Sequence, residues 1–488
     1  MAGAPRTSRL WVALWLASAS AGAQSVPPAP RPDEQFDVMN LITAHGLHDI
    51  QDESWNTYGQ ATYISSWKLG FPAPYTNRNT VNGSPYSLVP QPERSFTGSA
   101  TLYFGVRLWK GAEGYVVPEV ISEKPLSGLH GLGGSIQNFE LQKGGSPAPQ
   151  LYHSRIFIRQ TFELGGQQVV KASDPLQLGT HYQGRRIVLS AGNFSVLDFF
   201  EKNTVLGDLH QTFLNLGFLT YAAYDFNSDA RGYSWGAVAE LYWDDWALRL
   251  ARVTPPRDPN VLAVDFRLLQ FYGDQLELEH THVLSGHEGA VRVLLYRNRN
   301  TVGRFDNAVT AFETDPRKNA ASCTGTNYGS TNSAAPDLCW VRKPNLKVGV
   351  GLSLEQHLSD DVGVFIRGML SDGQSEVDAY TSTDSSLSLG VLAKGVRWKR
   401  PKDLAGIGGN VGWISKAHSE FLRRGGVDGF IGDGSINVGA ERSVDVFYSL
   451  NVLSAVWLSA DYQHIINPGF NQDRGPVHVL AGRLHAEF

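Results

Sequence analysis

Leu480-Ala481-Gly482-Arg483-Leu484-His485-Ala486-Glu487-Phe488 alternates without a break, with lipid-tolerant side chains at even positions and mostly polar or charged ones at odd positions. Successive side chains of a β-strand point to opposite faces, so this stretch has one greasy face and one wet face. Arg483, His485 and Glu487 share the wet one. Unpaired charge is costly against lipid, and the pattern therefore predicts a strand of a membrane-spanning β-barrel whose wet face lines a water-filled interior. The competing reading of these nine residues alone is an amphipathic edge strand of a soluble protein.

The same period recurs upstream. Val348, Val350, Leu352 and Leu354 oppose Lys347, Gly349, Gly351, Ser353 and Glu355; Val362, Val364, Ile366 and Leu370 oppose Phe365, Arg367 and Ser371. Val444, Val446, Tyr448, Leu450 and Val452 oppose Asp445, Phe447, Ser449 and Asn451, and Val456, Leu458, Ala460 and Tyr462 oppose Trp457, Ser459, Asp461 and Gln463. Each wet face holds an ionisable or amide group, which the middle of a soluble sandwich rarely accepts unpaired. Short turns at Leu358-Ser359-Asp360-Asp361 and Trp243-Asp244-Asp245 contrast with long polar segments at 304–342, 373–386 and 418–434. The expected fold class is all-β: a transmembrane antiparallel β-barrel of roughly 16 to 18 strands, with short periplasmic turns and long extracellular loops. A barrel that wide should enclose an aqueous channel.

The chain opens with Arg6 and Arg9, an apolar stretch from Leu10 to Ala17, and Ala21-Gly22-Ala23, the pattern of a secretory signal peptide spanning residues 1–23. Its removal takes away two arginines from a formal charge of −5, and no basic stripe argues for nucleic acid. Residues 24–56 read as a periplasmic lead-in, Pro-rich from Ser25 to Pro32, and 57–488 as the barrel. Beyond the signal no run of ~18 apolar residues appears, so no transmembrane helix is expected, and a closed barrel is the remaining way to satisfy every backbone group in lipid. The 51 Gly, 18 Tyr, 12 Trp and 23 Phe with a mean hydropathy of −0.22 suit strands of which only half of each meets lipid. The two cysteines, Cys323 and Cys339, lie in a Gly/Ser/Thr/Asn-rich stretch of an exported chain, where a disulfide is favoured. Such a bridge would staple a surface loop by roughly 3 kcal/mol.

Three blocks together resemble the carbohydrate-selective porin family of OprB-type outer-membrane porins. They run Leu189-Ser190-Ala191-Gly192-Asn193-Phe194 through Asp198 to Asn203; Asp229-Ala230-Arg231-Gly232-Tyr233-Ser234-Trp235-Gly236 with Trp243-Asp244-Asp245-Trp246-Ala247-Leu248-Arg249; and Asp461-Tyr462-Gln463-His464 through Asn467-Pro468-Gly469-Phe470 to Val477. The resemblance extends from about Thr57 to Phe488. It implies a 16-stranded barrel in the outer membrane of a Gram-negative bacterium that passes sugars passively, without cofactor, metal or catalysis. A terminal Phe488 also resembles the address read by the barrel assembly machinery, and the outer face would meet lipid and lipopolysaccharide. The Cys323 to Cys339 insertion departs from the family pattern.

Sugars offer hydroxyls and apolar C–H faces, so a channel favouring them should combine charged hydrogen-bonding groups with aromatic rings. Face parity nominates Arg155, Arg159, Glu240, Arg367, Trp457, Asp461 and Arg483 as channel-lining residues, and the resemblance alone adds the segment Asp198–Asn203, with Asp198 at its start, as a loop that could fold inward. Trp235, Tyr242, Trp243, Trp246, Tyr448 and Tyr462 read mostly as girdle aromatics. Gly232-Tyr233-Ser234-Trp235-Gly236 matches the G-x-S-x-G pattern of hydrolases, but strand rather than helix follows it. Asp225, Asn227 and Asp229 begin like a calcium loop and lack its Gly and Glu. The alternative from another class is a soluble or surface-attached all-β carbohydrate-binding protein without channel activity.

Overall fold

The computed structural model describes residues 38–76, 86–141, 143–315 and 335–488. Sixteen strands, each antiparallel to its neighbours in the chain, form one closed barrel. The cylinder is sealed where β1 (Trp55–Lys68) meets β16 (Val477–Glu487), with Gln60 opposite Glu487 and Thr62 opposite His485. Gly59 exchanges two backbone hydrogen bonds with Phe488, at 2.7 and 2.9 Å. A Cβ at position 59 would stand 2.2 Å from the Phe488 ring, so any larger residue there would push that ring aside.

The two-residue period is written into the wall. Along β10 (Lys343–Ser359) Leu346, Val348, Val350, Leu352 and Leu354 point outward at 37–48% exposure, while Lys347, Ser353 and Glu355 point inward at 6% or less. Exposed apolar side chains continue around the outside on other strands, among them Leu387, Leu389, Val444, Val446, Leu480 and Leu484. A monomeric soluble protein does not carry so extensive an apolar belt, which argues against the soluble alternative.

Connections alternate between the two rims. Asp244-Asp245 joins β6 (Ser234–Trp243) to β7 (Trp246–Val253), and Asp360-Asp361 joins β10 to β11 (Val362–Ser371). On the other rim residues 125–149 link β3 (Ala112–Lys124) to β4 (Gln150–Lys171), and 195–233 link β5 (Thr180–Phe194) to β6. The described parts of the three long polar segments read from the sequence all join strands at that rim.

The interior holds more than the wall: the long loops turn inward and narrow it. Phe199, Phe200, Leu214, Leu216, Tyr224 and Phe226 from the loop at 195–233 form one buried apolar cluster with Tyr115, Phe157 and Tyr296 of the wall. Sixteen strands enclose more space than wall side chains can fill, and each large apolar side chain removed from water contributes roughly 1.5–3 kcal/mol. Apolar residues scattered through a loop have no period that announces this. Helices appear too: α1 (Val38–Ala44) lies within the predicted lead-in, and α2 (Phe305–Thr314) packs on α3 (Lys416–Arg423) with Phe305 stacked on His418 at 4.2 Å. Cys339 opens a short 3-10 turn over Cys339–Val341, whereas its expected partner Cys323, the signal peptide and the prolines from Pro27 to Pro32 lie outside the described residues.

Candidate functional site

A loop entering a barrel brings backbone N–H groups that need acceptors away from water. The wall supplies carboxylates. Glu441, the first residue of β14 (Glu441–Leu453), accepts from the amides of Gly133 and Gly469 on one oxygen at 2.9 and 2.7 Å, and from Gly134 and Ser135 on the other at 2.9 and 2.7 Å. Asp445 takes the amides of Leu214 and Asn215, Glu355 that of Thr204, and Glu277 of β8 (Tyr272–Leu284) that of Glu201. Each oxygen of an ionised carboxylate can accept two hydrogens, so these side chains hold loop backbone without a donor of their own.

Between the docked loops and the wall lies a cavity of about 440 Å³, within the size range of small-molecule sites. Arg155 of β4 forks onto Asp198, Nε to Oδ2 at 2.8 Å and Nη2 to Oδ1 at 2.7 Å. Asp198 also accepts the Ser195 amide, closing a capping box that fixes the loop where it leaves β5. The Arg155 guanidinium sits 5.4 Å from the centre of the Tyr233 ring, and Arg231 covers Tyr152 at 4.3 Å. Lys202 lines the same cavity and makes no hydrogen bond or ion pair among the described residues. It follows Glu201, whose φ of 55° is a left-handed conformation uncommon for a residue with a Cβ. Arg367 grips the Glu201 carboxylate at 2.8 Å and the Glu277 carboxylate holds its amide, which keeps that turn in place.

His210 stands at the cavity edge between Asp208 at 2.6 Å and Glu140 at 3.3 Å, stacked on His485. Burial opposes its charge, but the two carboxylates outweigh burial and lift its pKa from 6.5 to about 10. Burial likewise resists charge on Glu140, yet His210 brings its pKa from 4.5 down to about 2. A raised histidine pKa gives stabilisation that is complete below 6.5 and lost as pH climbs through about 10. The depressed carboxylate gives stabilisation that is complete above 4.5 and lost as pH falls through about 2. Single-channel current should therefore be steady across the neutral range and turn noisy on both outer limbs. His210→Gln should abolish the alkaline limb; retention of that limb in planar-bilayer recordings would refute this role.

Of the eight residues nominated from sequence, Arg155, Asp198 and Arg367 border the cavity. Arg159 lies elsewhere, donating to the Leu176 carbonyl at 2.9 Å in the turn after β4, with Glu113 at 3.5 Å. Glu240 begins a charge ladder on the inner wall: Arg249 meets Glu240, Glu277 and Glu279, and Arg292 joins Glu279 to Glu355. Asp461 accepts from Gln463 at 3.1 Å on β15 (Val456–Ile466), and Arg483 donates to the Leu209 carbonyl at 2.7 Å. Trp457 sits at the short-turn end, its indole N–H donated to the Lys402 carbonyl at 3.2 Å. The ladder arginines were legible in principle, since Arg249 and Arg292 share wet-face parity with their partners. Arg231, His210 and Tyr233 were not, because they lie on loops with no period, and Lys202 entered only through the resemblance, as part of the segment Asp198–Asn203.

The decoys resolve on geometry. Ser234 is buried at the start of β6 and donates its hydroxyl to the Asn227 carbonyl at 2.5 Å. Asp225 is tied to Lys347 at 2.8 Å, and Asp229 accepts the amides of Arg231 and Tyr233. No cluster of metal-ligating side chains occurs among the described residues.

A sealed antiparallel cylinder with an apolar exterior, a charged inner wall and loops narrowing its bore belongs to the class of β-barrel channels. The sequence model of the carbohydrate-selective porin, OprB family, matches residues 91–488, and the chain belongs to that family. Among solved structures, the high-pH form of OprB from Pseudomonas putida shares the fold at a TM-score of 0.60 and 13% identity, over 89% of this chain and 94% of that one. DcaP of Acinetobacter baumannii gives a TM-score of 0.45 at 8% identity over 89% and 97% of the two chains. OccK2 of Pseudomonas aeruginosa gives 0.41 at 9% identity over 90% and 98%. No curated protein sequence matches the chain.

Proposed function

We propose that the protein is a passive pore for monosaccharides, and for disaccharides that fit, in the outer membrane of a Gram-negative bacterium, with its long loops outward and Phe488 on the periplasmic side. The observation that carries the solute assignment is the cavity where the Arg155–Asp198 fork, the unpaired Lys202 and the Tyr233 ring lie together. Guanidinium, ammonium and carboxylate groups can exchange hydrogen bonds with hydroxyls as a sugar passes, and a tyrosine ring offers a face for its C–H groups. Contacts must be several and weak, since millimolar affinity is only about −4 kcal/mol and tighter binding would hold the solute in the pore. No step of this function needs an energy source or catalysis. The remaining nominees, Arg159, Glu240, Trp457, Asp461 and Arg483, would act by keeping wall and loops in position.

Planar-bilayer recording with glucose titration tests the reading. Saturable block of ion current is expected in the wild type, and Lys202→Ala should weaken it about tenfold, the loss of one charge-assisted hydrogen bond. Arg155→Ala should weaken it further and raise channel noise, because Asp198 loses its partner. Glucose block that is absent from the wild type, or untouched by both substitutions, would defeat the proposal.

A further inference from the structure

The outer surface of β7, β8 and β9 (His287–Val302) carries charge where the belt should be apolar. Arg252 on β7 lies opposite Asp274 on β8, which lies opposite Arg297 on β9, and all three point outward. Asp274 binds both arginines, at 2.7 and 2.9 Å to Arg252 and 2.5 Å to Arg297. Arg299, exposed one outward position further along, makes no ion pair among the described residues. Tyr272 lies between them, with the Arg252 and Arg297 guanidiniums 4.3 and 5.2 Å from its ring centre. Three guanidiniums thus face one carboxylate, and the ledge keeps a net positive charge.

Directly beneath, toward the middle of the wall, lies an outward concavity of about 1090 Å³ lined by Leu250, Leu276 and Leu295 with the small side chains Ala191, Ala237 and Ala239. Arg252, Asp274 and Arg297 form its polar edge. Charged side chains at the depth of acyl tails are strongly unfavourable, so the ledge belongs at the head-group level and the concavity at the level of the chains. The ledge is on the long-loop side, since β7 and β9 end there and β8 begins there.

We propose that this face is a binding site for a membrane lipid with a phosphorylated head group, its phosphates on Arg252, Arg297 and Arg299 and an acyl chain in the concavity below. Guanidinium matches phosphate in geometry as well as charge. The net positive charge chooses an anionic head over a zwitterionic one, and the apolar hollow chooses a lipid over a free anion. The site rests on the outer-membrane reading, in which the long-loop rim meets the outer leaflet.

The test is native mass spectrometry of the purified full-length barrel titrated with bisphosphorylated lipid A, with fully dephosphorylated lipid A, and with inorganic phosphate. Wild-type protein should retain lipid A about tenfold or more over the R252Q/R297Q/R299Q variant, and the dephosphorylated lipid should bind no better than lipid A does to that variant. Ala239→Trp, which fills the hollow and leaves the ledge intact, should also release the lipid. Heat-modifiable migration in SDS and unaltered glucose block identify variants whose barrel is intact. Equal retention by wild type and triple variant, or equal retention of both lipids, would overturn the proposal. So would inorganic phosphate binding as tightly as lipid A, or efficient cross-linking of two copies through Ala237→Cys in native membranes. Glucose block lost from a wild-type barrel that still holds lipid would instead count against the sugar-pore reading alone.

Discussion

Glu441→Ala is expected to give the largest functional change of any single substitution in the lumen: a wider, noisier channel with no saturable sugar block. The side chain is 1% exposed and accepts four backbone amides, from the segments at 133–135 and at Gly469. Each buried donor stripped of its acceptor costs about 1–3 kcal/mol, and no neighbouring carboxylate bonds these four. Both segments should leave the wall together, taking with them the docked strip from Ile136 to Leu141 that carries Phe139 and Leu141 to the cavity. Glu441→Gln should fall between, since one amide oxygen still accepts while the amide nitrogen faces two N–H groups. Bilayer conductance decides the matter. Wild-type conductance and glucose block in Glu441→Ala would mean that these amides do not hold the loops.

Leu352→Arg should act on the other side of the wall and prevent assembly. Leu352 faces outward near the middle of β10, two outward positions below the level of Arg297 and flanked by Val293 on β9 and Gly368 on β11. A cationic side chain at the bilayer midplane costs about 2–4 kcal/mol in such barrels, falling to about 0–1 near the interfaces. Leu346→Arg, six residues nearer the long-loop rim and directly across from Arg299, is the matched control and should be tolerated. Folding into phospholipid vesicles, followed by the SDS-resistant band, separates the two. Equal folding of both variants would place the lipid belt elsewhere.

What the sequence made legible follows from where period survives. In β10, β14, β15 and β16 the wall is read residue by residue, because lipid and water on opposite faces enforce alternation at every step. The parity of Arg367, Asp461 and Arg483 was correct for the same reason: all three point inward. Their partners were hidden. Arg367 meets Glu201, and Arg483 meets the Leu209 carbonyl, contacts made by a loop that crosses the lumen. Nothing in the local pattern of residues 195–233 tells an in-folded loop from an outward one, since the deciding interactions are with strands that lie elsewhere in the chain. The Arg155–Asp198 fork was half visible, as one nominee by parity and one by resemblance, and only the fold brings them within 2.7 Å.

The seam between β1 and β16 has a bearing on how the molecule can come into being. Thr62 and His485, which meet across it, stand 423 positions apart in the chain. A contact so remote imposes a high loop-closure entropy and a slow route to the native state, and until it forms two strands present rows of unpaired amides and carbonyls to any neighbour. No partial cylinder is free of such edges. The seam joins the first strand to the last, so those edges stay open until both ends of the chain are in place.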